Sequence, residues 1–130
     1  MRSENVAAAI VYNPTLEKFL VVKRAEERER YPSHWEFPSG FIEEDEEVKE
    51  AALRELMEET GLKGEVVKTG ESFPIQIPPV TIHPVLLLVD KEEVKLSNEH
   101  TEHRWVDKND LSVLKTVPKL KQDLEKVGIK

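Results

Sequence analysis

Apolar positions change their period along this chain, and each change marks an element. Val6 to Tyr12 is an almost unbroken run of Val, Ile and Ala that stops at Asn13-Pro14, a turn signal. A second apolar run, Phe19 to Lys23, follows at hairpin distance, so the two read as paired strands. Arg24 to Tyr31 is densely charged and reads as a solvated loop, and Trp35 to Pro38 as a short strand-like piece leading into a turn at Gly40. From Glu46 or Glu47 to Thr60 the period becomes helical. Val48, Ala52 and Leu56 recur every four residues, with Ala51 and Leu53 widening the stripe. Asp45 is the expected N-cap, and Gly61 stands where the chain leaves the helix in a left-handed conformation.

Beyond that helix, Val66-Val67 opens a further strand. Phe73, Ile75 and Ile77 alternate with polar or small residues as on a half-buried strand, which Pro78-Pro79 breaks. Val80 to Val89 resumes a strand through Pro84, and a proline there predicts an edge or a bulge. Lys91 to His103 reads as a polar loop, Arg104-Trp105-Val106 as a short strand, and Asp107 to Leu111 as a helical turn. Pro118 can open a last helix whose stripe is Val117, Leu120, Leu124 and Val127, ended by Gly128. Strands on both sides of a packed helix, with a second amphipathic helix at the end, predict a mixed sheet between helices. Residues 1–130 read as one domain.

Charge adds a second stripe to the central helix. Glu55, Glu58 and Glu59 are spaced by three and four. At roughly 100° per residue, Glu58 lies about 60° to one side of Glu55 and Glu59 about 40° to the other. Lysines could neutralise an exposed acidic face, but Lys49 is the only lysine between Glu44 and Leu62. A bridging divalent cation accounts for the cluster better, and oxygen ligands suit Mg²⁺ or Mn²⁺. The rest of the composition narrows the setting. The formal net charge is −7, against the basic footprint that nucleic-acid polymers require, and this also disfavours a metal-dependent nuclease. It leaves room for a small nucleotide whose phosphates are neutralised by divalent ions. There is no cysteine, so disulfides and thiol catalysis are excluded. The longest uncharged apolar run is too short to cross a bilayer, and no signal-peptide core is evident, so a cytoplasmic protein without membrane attachment is expected. Abundant Lys and Glu with few Asn and Gln resemble thermophile composition.

The stretch GFIEEDEEVKEAALRELMEETGL, Gly40 to Leu62, resembles the signature of the Nudix hydrolase family at all nine fixed positions: Gly40, Glu46, Arg54, Glu55, Leu56, Glu58, Glu59, Gly61 and Leu62. The lead Trp35-Glu36-Phe37-Pro38-Ser39-Gly40 is similar to that of MutT-like members, and Glu99 to Trp105 resembles a downstream Nudix segment. Two positions depart from the family's habit without touching the signature: Ser39 stands where a glycine is usual, and so does Asp45.

The resemblance implies an α/β/α sandwich and a metal site built from Glu55, Glu58 and Glu59, with the Gly40 carbonyl as a further ligand. It implies that Arg54 orients a catalytic glutamate, and a structural role near the helix start suits Glu46. Glu99, six residues before Trp105, sits where MutT-like proteins carry a metal-binding acid. We expect it to be a ligand or the base, with Glu102 as its competitor and a base on the box helix still open. Arg24 matches an arginine near the nucleotide phosphates, and Lys23 beside it is a second substrate-binding candidate. Core packing is the better reading of Trp35 and Phe37 than base stacking. His100 and His103 lack a third nitrogen or sulfur ligand for zinc, although His100 could contact substrate.

The expected activity is hydrolysis of a phosphoanhydride in a nucleoside diphosphate derivative by directly attacking water. The first expectation is a nucleoside triphosphate pyrophosphohydrolase of MutT type. A dinucleoside tetraphosphate is suggested by Leu96 to His100 with Arg104-Trp105, and ADP-ribose is a third option. The reading from another class is a module that binds nucleotide without cleaving it; retention of every box carboxylate speaks against it. Either a monomer or a homodimer is compatible with the sequence.

Overall fold

A computed structural model describes residues 4–129. The strands are β1 (Asn5–Asn13), β2 (Lys18–Arg24), β3 (Trp35–Glu36), β4 (Ser39–Phe41), β5 (Glu65–Thr69), β6 (Phe73–Ile75), β7 (Val80–Leu88) and β8 (His100–Val106). The helices are α1 (Val48–Thr60), α2 (Lys108–Leu111) and α3 (Leu120–Lys126). All eight strands join one mixed sheet along the path β3-β2-β1-β7-β5, with β4 on β1, β6 on β7 and β8 on β2. β1 and β7 run parallel, from Asn5 opposite Thr81 to Tyr12 opposite Leu88, and the other pairs are antiparallel.

The unbroken apolar run of β1 follows from its place between two layers. Ala8 and Ile10 face a core formed with Trp35, Phe37, Leu120, Leu124 and Val127, under α2, α3 and the segments flanking them. Ala7, Ala9 and Val11 face the opposite core, with Ala51, Ala52 and Leu56 of α1. A strand buried on both sides loses the alternation that a half-exposed strand shows. The predicted sandwich is therefore the observed one, and Trp35 and Phe37 are core residues as expected. At the β1–β2 turn, the buried Asn13 carboxamide oxygen accepts the N–H groups of Thr15 and Leu16 at 2.9 and 3.2 Å, which closes the predicted hairpin.

Five local expectations change. β8 starts at His100, not Arg104; it pairs with β2 alone, Thr101 to Arg104 are exposed, and charged edge residues therefore mimic a loop. Gly40 lies within β4, opposite Ala7, rather than in a turn. The helix begins at Val48 with Glu47 as N-cap, where the Glu50 carboxylate accepts the Glu47 N–H at 2.8 Å. Asp45 instead holds a left-handed backbone at φ 65°, which explains why glycine suits that position. β6 stops at Ile75, leaving Ile77 65% exposed.

Pro84 is the fifth. It lies in a strand with neighbours on both sides, at the point where the outer partner changes from β5 to β6. Its carbonyl accepts the Gly70 N–H at 2.8 Å, away from β1. A residue's N and O in a strand point to the same side, so the missing proline N–H takes nothing from the β1 ladder. The left-handed exit at Gly61, φ 75°, is as expected, with its N–H bonded to the Met57 carbonyl.

Candidate active site

α1 lies with Ala51, Ala52 and Leu56 against the sheet, and this fixes where its acidic stripe points. Glu55 and Glu59 line an open cleft of about 1210 Å³, whose walls also include Gly40, Glu99 and the cations Arg24, Arg28, Arg30 and Lys119. A smaller hollow of about 300 Å³ adjoins it, lined by Glu55, Glu58, Glu59, Ser97, Asn98 and Glu99. Glu55, Glu59 and Glu99 line both, so the junction between the two cavities is walled by carboxylates.

Arg54 organises this face. Its Nε and Nη2 grip the Glu46 carboxylate as a fork at 2.7 and 3.0 Å. Its Nη1 reaches Glu55 at 2.9 Å and Glu58 at 3.2 Å, and Nη2 also donates to the Phe41 carbonyl at 3.0 Å. The guanidinium therefore ties α1 both to β4 and to the turn before the helix. It keeps its proton more firmly than a free arginine, first through the Glu46 hydrogen bonds, and in return holds the Glu46 carboxyl below the usual range. Arg54 thus reaches Glu58, four residues on, but the forked Glu46 is the stronger partner.

Glu59 is the anomaly of the site. It is 2% exposed, and neither carboxylate oxygen has a hydrogen-bond partner. Its pKa is pushed up to about 11, first by burial and then by the neighbouring Glu55, with Glu36 and Glu99 adding repulsion. A buried, unpartnered acid among like charges is stable as an anion only beside a cation. Among the described residues, no three ligating side chains stand as a ready-made ion cage. The carboxylates of Glu55 and Glu58 are turned towards Arg54, which supplies the positive charge instead. The donor set still fits a hard divalent ion, since the acids wall one small cavity and Glu59 has free oxygens. Glu55 lies so close over Gly40 that any Cβ there would collide with its carboxylate.

The other predicted residues divide. Glu99 lines both cavities, and its backbone carbonyl is fixed by the Ala25 N–H at 3.0 Å. Arg24 lines the cleft, held by the Arg30 carbonyl and by Glu36. Lys23, on the opposite face of β2, bonds to Glu102 at 3.3 Å, and neither it nor Glu102 is among the cleft's lining residues.

Reasoning from sequence missed Glu36 and Lys119. Glu36 is buried and takes Arg24 Nη1 at 3.0 Å and His100 Nε2 at 2.8 Å. The alternation Trp35-Glu36-Phe37 was its one signal, since it turns Glu36 away from the aromatic core. Lys119 pairs with the buried Asp123 at 2.7 Å, a contact foreshadowed only by their four-residue spacing.

A family description, NUDIX domain, matches residues 1–127. The chain belongs to that family. It is 29% identical over 100 residues to the rat bis(5'-nucleosyl)-tetraphosphatase (asymmetrical), covering 71% of this chain and 68% of the rat protein. It is 27% identical over 124 residues to nucleoside triphosphatase NudI of Escherichia coli O139:H28, covering 85% and 86%. Against three longer curated relatives, the matched stretch spans 20%, 28% and 17% of their length. The crystal structure of a C. elegans Ap4A hydrolase binary complex superposes with a TM-score of 0.76 at 22% identity, covering 94% of each chain, a likeness of fold. No described helix is long and apolar enough to cross a membrane.

Proposed function

We propose that this chain is a Mg²⁺-dependent hydrolase, with Mn²⁺ as a substitute, that cleaves a phosphoanhydride bond in a nucleoside diphosphate derivative. The observation that carries the reading is Glu59: a buried carboxylate with both oxygens free, beside Glu55 and lining a cleft whose walls also carry cations. Glu55, Glu58, Glu59 and Glu99 would hold the ion, with the Gly40 carbonyl beside them. Once bound, the ion would supply charge neutralisation on the phosphates and acidify a nearby water. Arg24, and Arg28 and Arg30 from the loop after it, would receive the phosphate chain. Arg54 would hold Glu55 and Glu58 in position, and Glu99 would accept the proton of the attacking water. No covalent intermediate is needed.

For the substrate we propose a nucleoside triphosphate, cleaved to monophosphate and pyrophosphate. The similarity to NudI, which runs over most of both chains, supports this. A second reading, a dinucleoside tetraphosphate, has two supports. One is the similarity to the rat protein. The other is a cleft whose about 1210 Å³ exceeds the roughly 300–1000 Å³ of a usual small-ligand site. The deciding experiment is a phosphate-release and product screen over nucleoside triphosphates, dinucleoside polyphosphates and ADP-ribose, with Mg²⁺ and with chelator. Metal-dependent release of pyrophosphate and monophosphate is expected. Turnover of none of these substrates with saturating Mg²⁺ refutes catalysis and leaves a binding module. The lack of cysteine suits a cytoplasmic site of action.

A further inference from the structure

Beside the carboxylate junction, two buried residues that the proposed chemistry does not use, Glu36 and His100, join Arg24 to Glu59. Arg24 Nη1 donates to Glu36 Oε1 at 3.0 Å, and Glu36 Oε2 meets His100 Nε2 at 2.8 Å. On its other side, His100 Nδ1 faces Glu59 Oε1 at 3.6 Å and has no hydrogen-bond partner. The His100 side chain is 1% exposed, that of Glu36 7% and that of Glu59 3%. These residues come from β2, β3, the first residue of β8, and α1. A polar group so buried costs several kcal/mol unless it is matched, so a chain of this kind persists only where its members fix one another.

The backbone is shaped to deliver His100 there. The ladder between β2 and β8 shifts register between Lys23 and Arg24, so that Lys23 stands opposite Glu102 but Arg24 opposite His100. Regular pairing would set Thr101 against Arg24. A bulge re-aims a side chain in this way, and bulges gather next to active sites. Here it places the buried His100 against Glu59 in the cleft wall, while Glu99, its neighbour, lines both cavities.

We propose that His100 is a positioning residue for the metal site: anchored through Glu36 to Arg24, it fixes the Glu59 carboxylate for a divalent cation. The proposal rests on the metal-dependent reading above. The contact at 3.6 Å is slightly long for a hydrogen bond, and a small rotation of the Glu59 carboxylate would close it. A histidine clamped between two carboxylates has one ring orientation, and outer partners of this sort typically contribute about 10–100-fold to metal affinity.

The test is Mn²⁺ binding to the metal-free full chain, followed by electron paramagnetic resonance and calorimetry. Wild type is compared with His100→Ala and Glu36→Gln, and folding of each is checked by circular dichroism and a cooperative melt. Loss of roughly tenfold or more in Mn²⁺ affinity is expected for folded His100→Ala. A smaller loss in the same direction is expected for Glu36→Gln, which keeps an acceptor for Nε2. A folded alanine variant with wild-type affinity overturns the proposal, even if its melting temperature falls, because a purely structural histidine would do that. Should His100→Ala fail to fold, unchanged affinity in Glu36→Gln overturns it equally. A wild-type protein that binds no Mn²⁺ removes the metal-dependent reading itself, so the two failures are distinct.

Discussion

Replacing Arg54 by methionine removes the charge while keeping an aliphatic stem of similar reach, and the geometry sets the cost. Arg54 is 24% exposed in its side chain, Glu46 14% and Glu55 12%, whereas Glu58 and Glu43 are 57% and 66% exposed. The exposed partners contribute little. Deleting one partner of a buried pair costs about 3–5 kcal/mol, because the other charge is left without compensation. Discounted for a guanidinium one-quarter in contact with water, the expected loss is about 2–3 kcal/mol. At about 2 cal/mol/K per residue over a chain of this length, each kcal/mol shifts the melting temperature by about 4 °C, so a drop of about 8–12 °C is expected.

The assay is thermal unfolding of metal-free protein, with Glu46→Gln and the double variant completing a cycle. A coupling of about 1–3 kcal/mol is expected between Arg54 and Glu46. Added Mg²⁺ should recover more melting temperature in Arg54→Met than in wild type, since an ion then replaces the lost counter-charge. A change below about 2 °C in Arg54→Met, or a coupling indistinguishable from zero, would refute the view that Arg54 organises the site.

Glu59→Gln should raise the melting temperature of metal-free protein by several degrees at neutral pH, because the amide escapes the cost of protonating a buried acid, and abolish most of the rise caused by Mg²⁺; a destabilised metal-free variant would contradict the effect of burial and of Glu55 on Glu59. The pH sign follows from the raised pKa. The folded state binds a proton that the unfolded chain releases at about 4.5, so stability is lost as pH climbs from there towards about 11, by up to about 1.4 kcal/mol per unit. Metal-free wild type should therefore melt lower at pH 8 than at pH 6, and Glu59→Gln should flatten that slope. Gly40→Ala should fold but lose at least about tenfold in kcat, because its methyl displaces the Glu55 carboxylate by more than the ångström-scale tolerance of a reacting site; wild-type kcat would sink this. Glu99→Gln should lower kcat about 100-fold or more while KM changes little, as removal of a general base does; unchanged turnover removes Glu99 from the mechanism.

What the sequence disclosed and what it hid differ by the range of the interactions involved. The α1 glutamates were legible because a helix converts spacing into a shared face without help from the rest of the chain. The sandwich was legible because β1 and α1 carry stripes that must be buried. The N-cap shifted from Asp45 to Glu47 because Asp45, Glu46 and Glu47 are three consecutive acids, and of these Glu47 alone has an acid three positions later with which to form the box. β8 was hidden because an edge strand with exposed faces obeys no apolar period.

The buried polar chain was hidden for a deeper reason. Locally, the alternation Trp35-Glu36-Phe37 says only that Glu36 faces away from the aromatic core, and His100 reads as a loop histidine; each is paired by a residue at least 12 positions away. Yet His100 packs beside Glu59, whose own burial makes it unusual. The same desolvation that pushes its pKa upward leaves its oxygens unpartnered at the junction of the two cavities. The spacing of Glu55, Glu58 and Glu59 accounts for their common face, but not for the different work each can do on it. Glu58 is largely in water, Glu55 is held by Arg54, and Glu59 is pressed into the protein. At neutral pH the metal-free Glu59 holds a proton that an arriving cation must displace, but the anion so formed is buried and has no other counter-charge, so its contact with the ion is the strongest of the three. On this argument, neutralising Glu59 should weaken metal binding more than neutralising Glu58, an order that metal titrations of the two glutamine variants can reverse.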